Sequence, residues 1–311
     1  MILCCGEALI DMLPAQSPQG MAFVPHTGGA VYNTAIALGR LGAPTAFFSG
    51  LSADFFGDML REGLAASNVD TSFCVTSDRP CTLAFVRLVD GQATYGFYDE
   101  NTAGRMLTEA DLPQAEVQAL FFGGISLVSE PCASTYEALM TREAGKKITM
   151  IDPNIRAGFI KDEAAYRARI ERLMAMADII KLSSEDLDWL ADGHTDALIQ
   201  RYLEAGTAVV FVTDGSKGAR AVTRATTVRE PAHKVQVVDT VGAGDTFNAG
   251  VLSSLHQSGA FTRAGLAALD EARLRAALRL GIASAAVTVS RAGANPPWRS
   301  ELGDDQTPCA S

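Results

Sequence analysis

The stretch VVDTVGAGDTFNAG, Val237–Gly250, decides the fold of this 311-residue chain. A β-branched run, Val235–Val238, predicts a strand that ends just before Asp239. The glycines of Gly242-Ala243-Gly244 then interrupt the strand pattern, and apolar residues at helical spacing follow from Phe247 onward. A strand, a glycine-containing turn and a helix in succession form the repeating unit of an α/β protein.

The start of the predicted helix is suited to bind an anion. The small residues leave the backbone N–H groups of Gly242, Ala243 and Gly244 uncovered, and the first N–H groups of a helix have no partner within it. Together with the helix dipole, these donors form an anion site. Asp245 lies in the first turn of the same helix.

Two explanations of Asp245 are open at this point. A carboxylate in the first turn stabilises a helix by about 0.3–1 kcal/mol, whatever the protein does. Phosphoryl transfer needs the same pair of features, because amides neutralise charge on the transferring phosphate while a carboxylate accepts the proton of the attacking hydroxyl. On the second explanation Asp245 is a general base, and Gly242, Ala243 and Gly244 complete the catalytic set.

The rest of the chain alternates between short apolar runs and amphipathic stretches. This alternation predicts an α/β fold with a mostly parallel sheet and helices on both of its faces. The predicted strands are Ile2–Cys5, Thr45–Ser49, Ala119–Phe122, Ile148–Ile151, Ile179–Leu182 and Ala208–Thr213. The predicted helices are Phe55–Ser67, Ser134–Glu143, Ala164–Met176, Thr195–Ala205 and Glu271–Ala286.

One segment departs from the alternation. Thr82–Val89 and Gln92–Tyr98 read as two extended runs, and the Asp90-Gly91 dipeptide between them favours a type I′ hairpin turn. The hairpin forms either an antiparallel edge of the main sheet or a small lid that stands off it. A lid is favoured because apolar side chains of the hairpin need cover from water, namely Leu83, Phe85, Tyr95 and Phe97.

Composition excludes several classes of function. The chain carries 26 lysines and arginines against 36 aspartates and glutamates, a net charge of −10, which disfavours nucleic acid as a partner. The opening residues MILCCGEALIDML lack a basic leader, and no apolar run is long enough for a membrane span. The six cysteines show no CxxC pair, so reduced thiols in the cytoplasm are expected.

Five stretches, in order along the chain, resemble one family. The stretch Asp239–Phe247 resembles the C-terminal signature of the ribokinase-like (PfkB) carbohydrate kinases. Four further matches are Asp11, the GGAVYN start of a helix at Gly28–Asn33, DPNIR at Asp152–Arg156 and TDGSKG at Thr213–Gly218. The resemblance implies one kinase domain over residues 1–311, with a lid formed from about 11–27 and 81–100.

The same resemblance implies roles for individual residues. Asp11 and Asn33 offer polar groups for sugar hydroxyls, and Gly28 and Gly29 let the sugar approach. Phe97, Arg156 and Asp245 complete the implied substrate site. ATP is expected to contact Ser183, Thr213, Gly215, Gly218, Gly242 and Gly244.

Two cations are implied beside ATP. A monovalent cation, expected to be potassium, is assigned to Asp239, Val241, Thr288, Arg291 and Gly293. The magnesium-linked Asn-x-x-Glu motif of the family is altered here to Ser183-Ser184-Glu185-Asp186. Asp186 or Glu185 is therefore expected to organise water around Mg²⁺.

Fructose is the expected sugar, because GEALIDMLP and YDENTAGRML most resemble bacterial fructokinases. Kinases of 2-keto-3-deoxygluconate tend to carry an arginine where this chain has Asp99-Glu100, and ribokinases carry GGKGAN where it has GGAVYN. A 2-keto-3-deoxygluconate kinase and a ribokinase or nucleoside kinase remain alternatives.

Two other classes stay open. A non-catalytic sugar-sensing homologue would be expected to lose the base or the anion site. A nicotinamide oxidoreductase lacks its GxGxxG fingerprint here. The exposed lid also predicts a homodimer in which two lids pair.

Overall fold

The structure is a computed structural model that describes residues 1–89 and 92–303, and the side chains of all of these except 86–89 and 92–95. The Asp90-Gly91 turn and the Tyr95 side chain therefore lie outside the described residues. In chain order the strands are β1 (Ile2–Cys5), β2 (Leu9–Ser17), β3 (Gly20–Gly28), β4 (Thr45–Phe48), β5 (Gly50–Ser52), β6 (Val69–Asp70), β7 (Val75–Ser77), β8 (Leu83–Val89), β9 (Gln92–Tyr98), β10 (Ala119–Gly123), β11 (Ile148–Asp152), β12 (Ile179–Ser183), β13 (Val209–Thr213), β14 (Ala219–Val222) and β15 (Thr227–Glu230).

Five of the helices coincide with the predicted amphipathic stretches, with ends that shift by at most three residues. The helices are α1 (Ala30–Arg40), α2 (Phe55–Ala66), α3 (Cys132–Glu143), α4 (Glu163–Met176), α5 (Ser184–Ala191), α6 (Thr195–Ala205), α7 (Ala243–Gln257), α8 (Arg263–Ala267) and α9 (Glu271–Val289). Asp54, Asp162 and Asp270 cap α2, α4 and α9 by accepting a backbone N–H of the first turn.

Most strands form one sheet, whose order among the described residues is β15-β14-β13-β12-β11-β10-β1-β4-β6. Every pair from β13 to β6 is parallel, and β14 and β15 add an antiparallel edge. The predicted α/β fold with a mostly parallel sheet is confirmed. The chain winds outward from β1 in one direction through β4 and in the other through β10, which makes the β1–β10 junction a switch point.

The sheet is buried on both faces, since adjacent strand residues point into two different cores. Cys4, Phe47 and Phe121 face α1, α2, α7 and α9, whereas their successors Cys5, Phe48 and Phe122 face α3, α4, α5 and α6. This double burial explains why these strands are apolar without alternation. Among the described residues, no helix combines the length and apolar character needed to cross a bilayer.

The hairpin belongs to a second, small sheet with the order β3-β2-β8-β9. In this sheet β2 pairs with β3 and β8 with β9 in antiparallel fashion, while β2 and β8 are parallel. The hairpin is thus separate from the edge of the main sheet. We call β2, β3, β8 and β9 the small sheet.

The prediction of a strand at Val235–Val238 is wrong. These residues are irregular, and Val237 and Val238 are each 59% exposed. Their apolar character has another origin, because Val235 and Val237 line a cavity described below. The segment is held instead by two backbone bonds from the amides of Val238 and Asp239 to the carbonyl of Val289.

Candidate active site

Several predicted site residues follow strands whose carboxyl ends lie at one edge of the main sheet. The strands β11, β12 and β13 end at Asp152, Ser183 and Thr213. Beside them, Glu7 and Gly124 follow β1 and β10 at the switch point. Ligands of open α/β sheets bind in such a crevice.

A cleft of about 580 Å³ occupies this edge, between the main sheet and the small sheet. The small sheet contributes Asp11 and Phe97 to its wall, and the start of α7 contributes Gly242–Asp245. The other predicted residues that line the cleft are Gly29, Asn33, Val241, Arg156, Ser183, Thr213 and Asp186.

A second cavity of about 590 Å³ adjoins the cleft. Aliphatic and aromatic side chains dominate its wall, including Val235, Val237, Phe247, Ile282 and Val289. The predicted ATP residues Gly215 and Gly218 also line it. The two cavities share Thr213, Thr240, Ala243 and Gly244, so the start of α7 lies where they meet.

The backbone at the start of α7 requires glycine. Gly242 caps the helix with φ of +77°, and a Cβ there would lie 2.7 Å from the Cβ of Ala294. The expectation of three unpaired amides is corrected for Ala243, because the turn at Gly242 brings its N–H to the carbonyl of Thr240 at 3.3 Å. Among the described residues, the amides of Gly242 and Gly244 have no backbone acceptor.

Asp245 is buried at the floor of the cleft. The residue is 7% exposed, and its Oδ2 accepts a hydrogen bond from Asn33 Nδ2 at 2.9 Å. Burial raises the pKa of Asp245 to about 7, helped by the charges of Asp152 and Glu7 and opposed by the Asn33 bond and Lys181. A carboxyl with a pKa near neutrality is suited to exchange protons with a hydroxyl.

Asp11 of β2 lines the same cleft as the start of α7. Burial raises its pKa to about 6. Gly28 lies directly behind it, since a Cβ at Gly28 would come within 2.2 Å of Asp11 Oδ2. Gly28 thus makes room for the carboxylate of Asp11, whereas Gly29 lines the cleft itself.

Aromatic and basic side chains border the outer part of the cleft. Phe97 packs against Phe159 with ring centroids 5.0 Å apart, so a strand of the small sheet meets the loop after β11. Arg156 of that loop is exposed, and its Nη1 bonds the carbonyl of Ile155 at 3.1 Å.

Comparison with known proteins shows the family of this chain. Residues 1–301 match the model of the pfkB family of carbohydrate kinases. The chain belongs to this family. A fructokinase of Rhizobium leguminosarum bv. trifolii is 55% identical over 279 residues, which cover 88% of this chain and 86% of the relative. A probable fructokinase of Arabidopsis thaliana, fructokinase-7, is 34% identical over 95% of this chain and 89% of its own length.

Solved structures of the family have the same fold. A fructokinase of Xylella fastidiosa with bound ATP superposes with a TM-score of 0.87 at 32% identity, covering 94% of this chain and 93% of the other. The kinase described here is therefore a ribokinase-like enzyme over almost its whole length.

The altered Asn-x-x-Glu segment of the kinase starts helix α5. Asp186 is buried, and its two oxygens accept the backbone N–H groups of Ile155 at 2.9 Å and Ser183 at 3.3 Å. Burial and the nearby charge of Asp152 raise its pKa. Glu185, in contrast, is exposed and lines the cleft.

The side chains of the predicted cation site are largely engaged in other contacts. Asp239 accepts the amides of Val241 at 3.0 Å and Gly293 at 2.9 Å, which brings those three residues together. The hydroxyl of Thr288 bonds Thr246 and is buried. Since the guanidinium of Arg291 pairs with Glu301 at 2.5 Å, Thr288 and Arg291 can offer a cation only their main-chain carbonyls.

Asp99 and Glu100, which stand where 2-keto-3-deoxygluconate kinases tend to carry an arginine, do not line the cleft. They line a neighbouring groove, where Asp99 pairs with Arg105 at 3.0 Å and accepts from Ser129 at 3.0 Å. The charge of Asp99 is therefore compensated, and it cannot select among substrates by repulsion.

Sequence reasoning missed a buried polar cluster beneath the start of α7. Lys181 on β12 forms an ion pair with Asp152 at 2.8 Å, and Asn248 donates to the same carboxylate oxygen at 2.7 Å. The available signal was a lysine inside the apolar run Ile179–Leu182, where a charge needs a partner.

Glu7 was also missed. It is buried, and its carboxylate accepts the amide of Ala30 at 2.8 Å and that of Ser126 at 3.3 Å. Burial raises the pKa of Glu7 despite these bonds. Glu7 thus links the start of α1 to the residues after β10, and it lines the same cleft as Asp245, whose pKa its charge helps to raise.

Proposed function

We propose that this kinase transfers the γ-phosphoryl group of ATP to a primary hydroxyl of fructose. The observation that carries the proposal is the position of Asp245, whose buried carboxyl lies in the cleft beside the unpaired amides of Gly242 and Gly244. The relatives named as fructokinases support the choice of sugar.

The cleft is assigned to the sugar. Asp11 of β2, Asn33 of α1 and Asp245 of α7 offer hydrogen-bonding groups to the sugar, and Phe97 covers an apolar face of its ring. Carboxylates outnumber cations on the cleft wall, which disfavours an acidic sugar such as 2-keto-3-deoxygluconate.

The adjoining cavity is assigned to the nucleotide. Its apolar wall suits a nucleobase, and Gly215 and Gly218 leave room for the ribose and phosphates. ATP bound there directs its terminal phosphate toward Gly244, which borders both cavities.

In the reaction Asp245 accepts the proton of the sugar hydroxyl as its oxygen forms a bond to phosphorus. The bond from phosphorus to the bridging oxygen of ADP breaks in the same step, and ADP leaves with that electron pair. The amides of Gly242 and Gly244 donate to the phosphoryl oxygens, where charge is held during transfer. Mg²⁺, when bound with ATP, supplies further neutralisation of the phosphates. Of the two carboxylates considered for its water shell, Glu185 is better placed, since both oxygens of Asp186 already accept amides.

The function is tested by measuring ADP release from the purified protein with fructose, glucose, ribose, 2-keto-3-deoxygluconate and adenosine. We expect kcat/KM for fructose to exceed that for each other acceptor by at least about tenfold, a difference of about 1.4 kcal/mol. Turnover of none of them would favour a sugar-sensing homologue, and a preference for another acceptor would reject fructose.

A potassium ion is proposed at the loop formed by Asp239, Val241 and Gly293. Main-chain carbonyls of this loop are the oxygen ligands that a hard cation prefers, and Asp239 shapes the loop, since its two oxygens accept the amides of Val241 and Gly293. The ion would hold the loop that precedes Gly242, so we expect KCl to raise kcat in a sodium-free Tris buffer. Equal rates with and without KCl would exclude activation by potassium.

A homodimer is proposed in which the small sheets of two copies pair. Met21, Val24 and Tyr98 of this sheet are 68%, 44% and 64% exposed, an unusual set of apolar side chains for a free surface. The cytoplasm is proposed as its location, supported by free thiols at Cys4, Cys5, Cys74, Cys81 and Cys132.

A further inference from the structure

Lys181 is a buried cation on the floor of the cleft. Its side chain is 5% exposed, yet it belongs to the wall of the cleft that holds Asp245. Burial alone would lower the pKa of Lys181, but the carboxylate of Asp152 outweighs this effect and raises it, so the side chain stays an ammonium ion.

The ammonium lies directly beneath the anion site. A Cβ built on Gly244 would be 3.2 Å from Lys181 Nζ, so the Lys181 side chain reaches the backbone of the first turn of α7. Asp152 fixes this position with its 2.8 Å ion pair, and Asn248 of the next turn of α7 holds the same carboxylate. The ammonium is thereby held in place by both the sheet and the helix.

Few cations line the cleft besides Lys181. Its wall carries the cations Lys181 and Arg156 against the carboxylates of Glu7, Asp11, Glu185, Asp186 and Asp245. Arg156 is exposed, and its partner among the described residues is the carbonyl of the neighbouring Ile155, whereas Lys181 is fixed by its ion pair with Asp152. The Ala243 amide is engaged with Thr240, so the anion site has one donor fewer than the glycine pattern predicts.

We propose that Lys181 is a further catalytic residue, whose ammonium donates to the phosphoryl group as it passes from ADP to the sugar oxygen. The proposal rests on the kinase function proposed above. Lys181 stays protonated throughout, while Asp245 takes the hydroxyl proton and ADP takes the electron pair of the broken bond. A positive charge fixed in advance stabilises the transferring group without reorganisation during the step.

The alternative role for Lys181 is that of a counter-ion to Asp152, with no contact to the phosphoryl group. The two roles differ in the double variant Lys181→Met, Asp152→Asn, which removes both charges and leaves no unpaired ion. A counter-ion role predicts that the double variant recovers the activity lost in Lys181→Met. A catalytic role predicts that it does not.

The experiment measures kcat, KM and thermal midpoints for the wild type, Lys181→Met, Asp152→Asn and the double variant, with fructose and ATP. Assays at about pH 9, above the wild-type pKa of about 7 for Asp245, reduce the part of any lost turnover that comes from a change in that pKa. We expect the double variant to keep a thermal midpoint near that of the wild type and a KM for fructose within about threefold. Its kcat should fall by about 10²–10³-fold, as for other lost transition-state donors.

A kcat of the double variant within about threefold of the wild type would overturn the proposal. If the double variant does not fold, Lys181→Gln provides the test, because it keeps a donor for Asp152 without the charge. Wild-type turnover of Lys181→Gln would also overturn the proposal. A wild type that phosphorylates no sugar would instead refute the proposed function, so the two failures are distinguishable.

Discussion

Asp245 is a residue whose acidity is set by its surroundings. An aspartate in the first turn of a helix is ordinarily an ionised, exposed helix stabiliser. Here burial raises its pKa to about 7, with Asp152 and Glu7 adding negative charge nearby while Asn33 and Lys181 oppose them. The position of Asp245 in the first turn of a helix could be predicted from the sequence. Its pKa could not, because it depends on groups that are distant along the chain.

The pH dependence of the reaction tests this environment. Asp245 accepts a proton only when it is ionised, so kcat/KM for fructose should rise with pH and level off above its pKa of about 7. The measurement is kcat/KM at saturating ATP between about pH 5 and pH 9. A profile that is already flat at about pH 5 would mean that Asp245 titrates as an ordinary aspartate or does not act as the base.

At the scale of elements, the strand pattern predicted the fold because the main sheet is buried on both faces. Its strands are continuous apolar runs, and the predicted positions of β1, β10, β11, β12 and β13 agree with the structure to within a residue or two. The prediction of a strand at Val235–Val238 failed because an apolar run that lines a cavity, as Val235 and Val237 do, has the same pattern as a buried strand. Lys181 could not be assigned, because the register of β11 and β12 is not visible in the sequence.

The small sheet contributes one side chain whose role can be tested alone. Phe97 of β9 lines the cleft and packs on Phe159, so Phe97→Ala should weaken sugar binding by about 1 kcal/mol, the scale of an aromatic contact. We expect KM for fructose to rise about fivefold while kcat changes little.

Phe55→Ala is the matched control for that substitution. Phe55 is 66% exposed at the start of α2 and does not line the cleft or the adjoining cavity. The Phe55→Ala variant should therefore have the same KM for fructose as the wild type. Equal KM values for Phe97→Ala and the wild type would remove Phe97 from the substrate site.

At the scale of the whole molecule, the fold places two cavities on either side of one helix start. The cleft collects polar groups from the small sheet, α1 and the strand ends, while the adjoining cavity is apolar. They meet at Ala243 and Gly244, so in the proposed reaction the phosphoryl group passes the amides of α7 and Asp245. Every part of the proposed reaction depends on a base at that junction.

Asp245→Asn tests this dependence most directly. Asparagine keeps the acceptor for Asn33 and removes the proton acceptor for the sugar hydroxyl. Because the raised pKa of Asp245 means that the folded state loses stability as pH rises through about 7, the neutral variant should be at least as stable as the wild type at about pH 8. A thermal midpoint at that pH verifies that the variant is folded.

The decisive quantity is kcat of Asp245→Asn for ADP release with fructose and ATP. We expect it to fall by about 10²–10⁴-fold relative to the wild type, the usual contribution of a general base. A folded variant that retains more than about a tenth of wild-type kcat would contradict the assignment of Asp245 as the base.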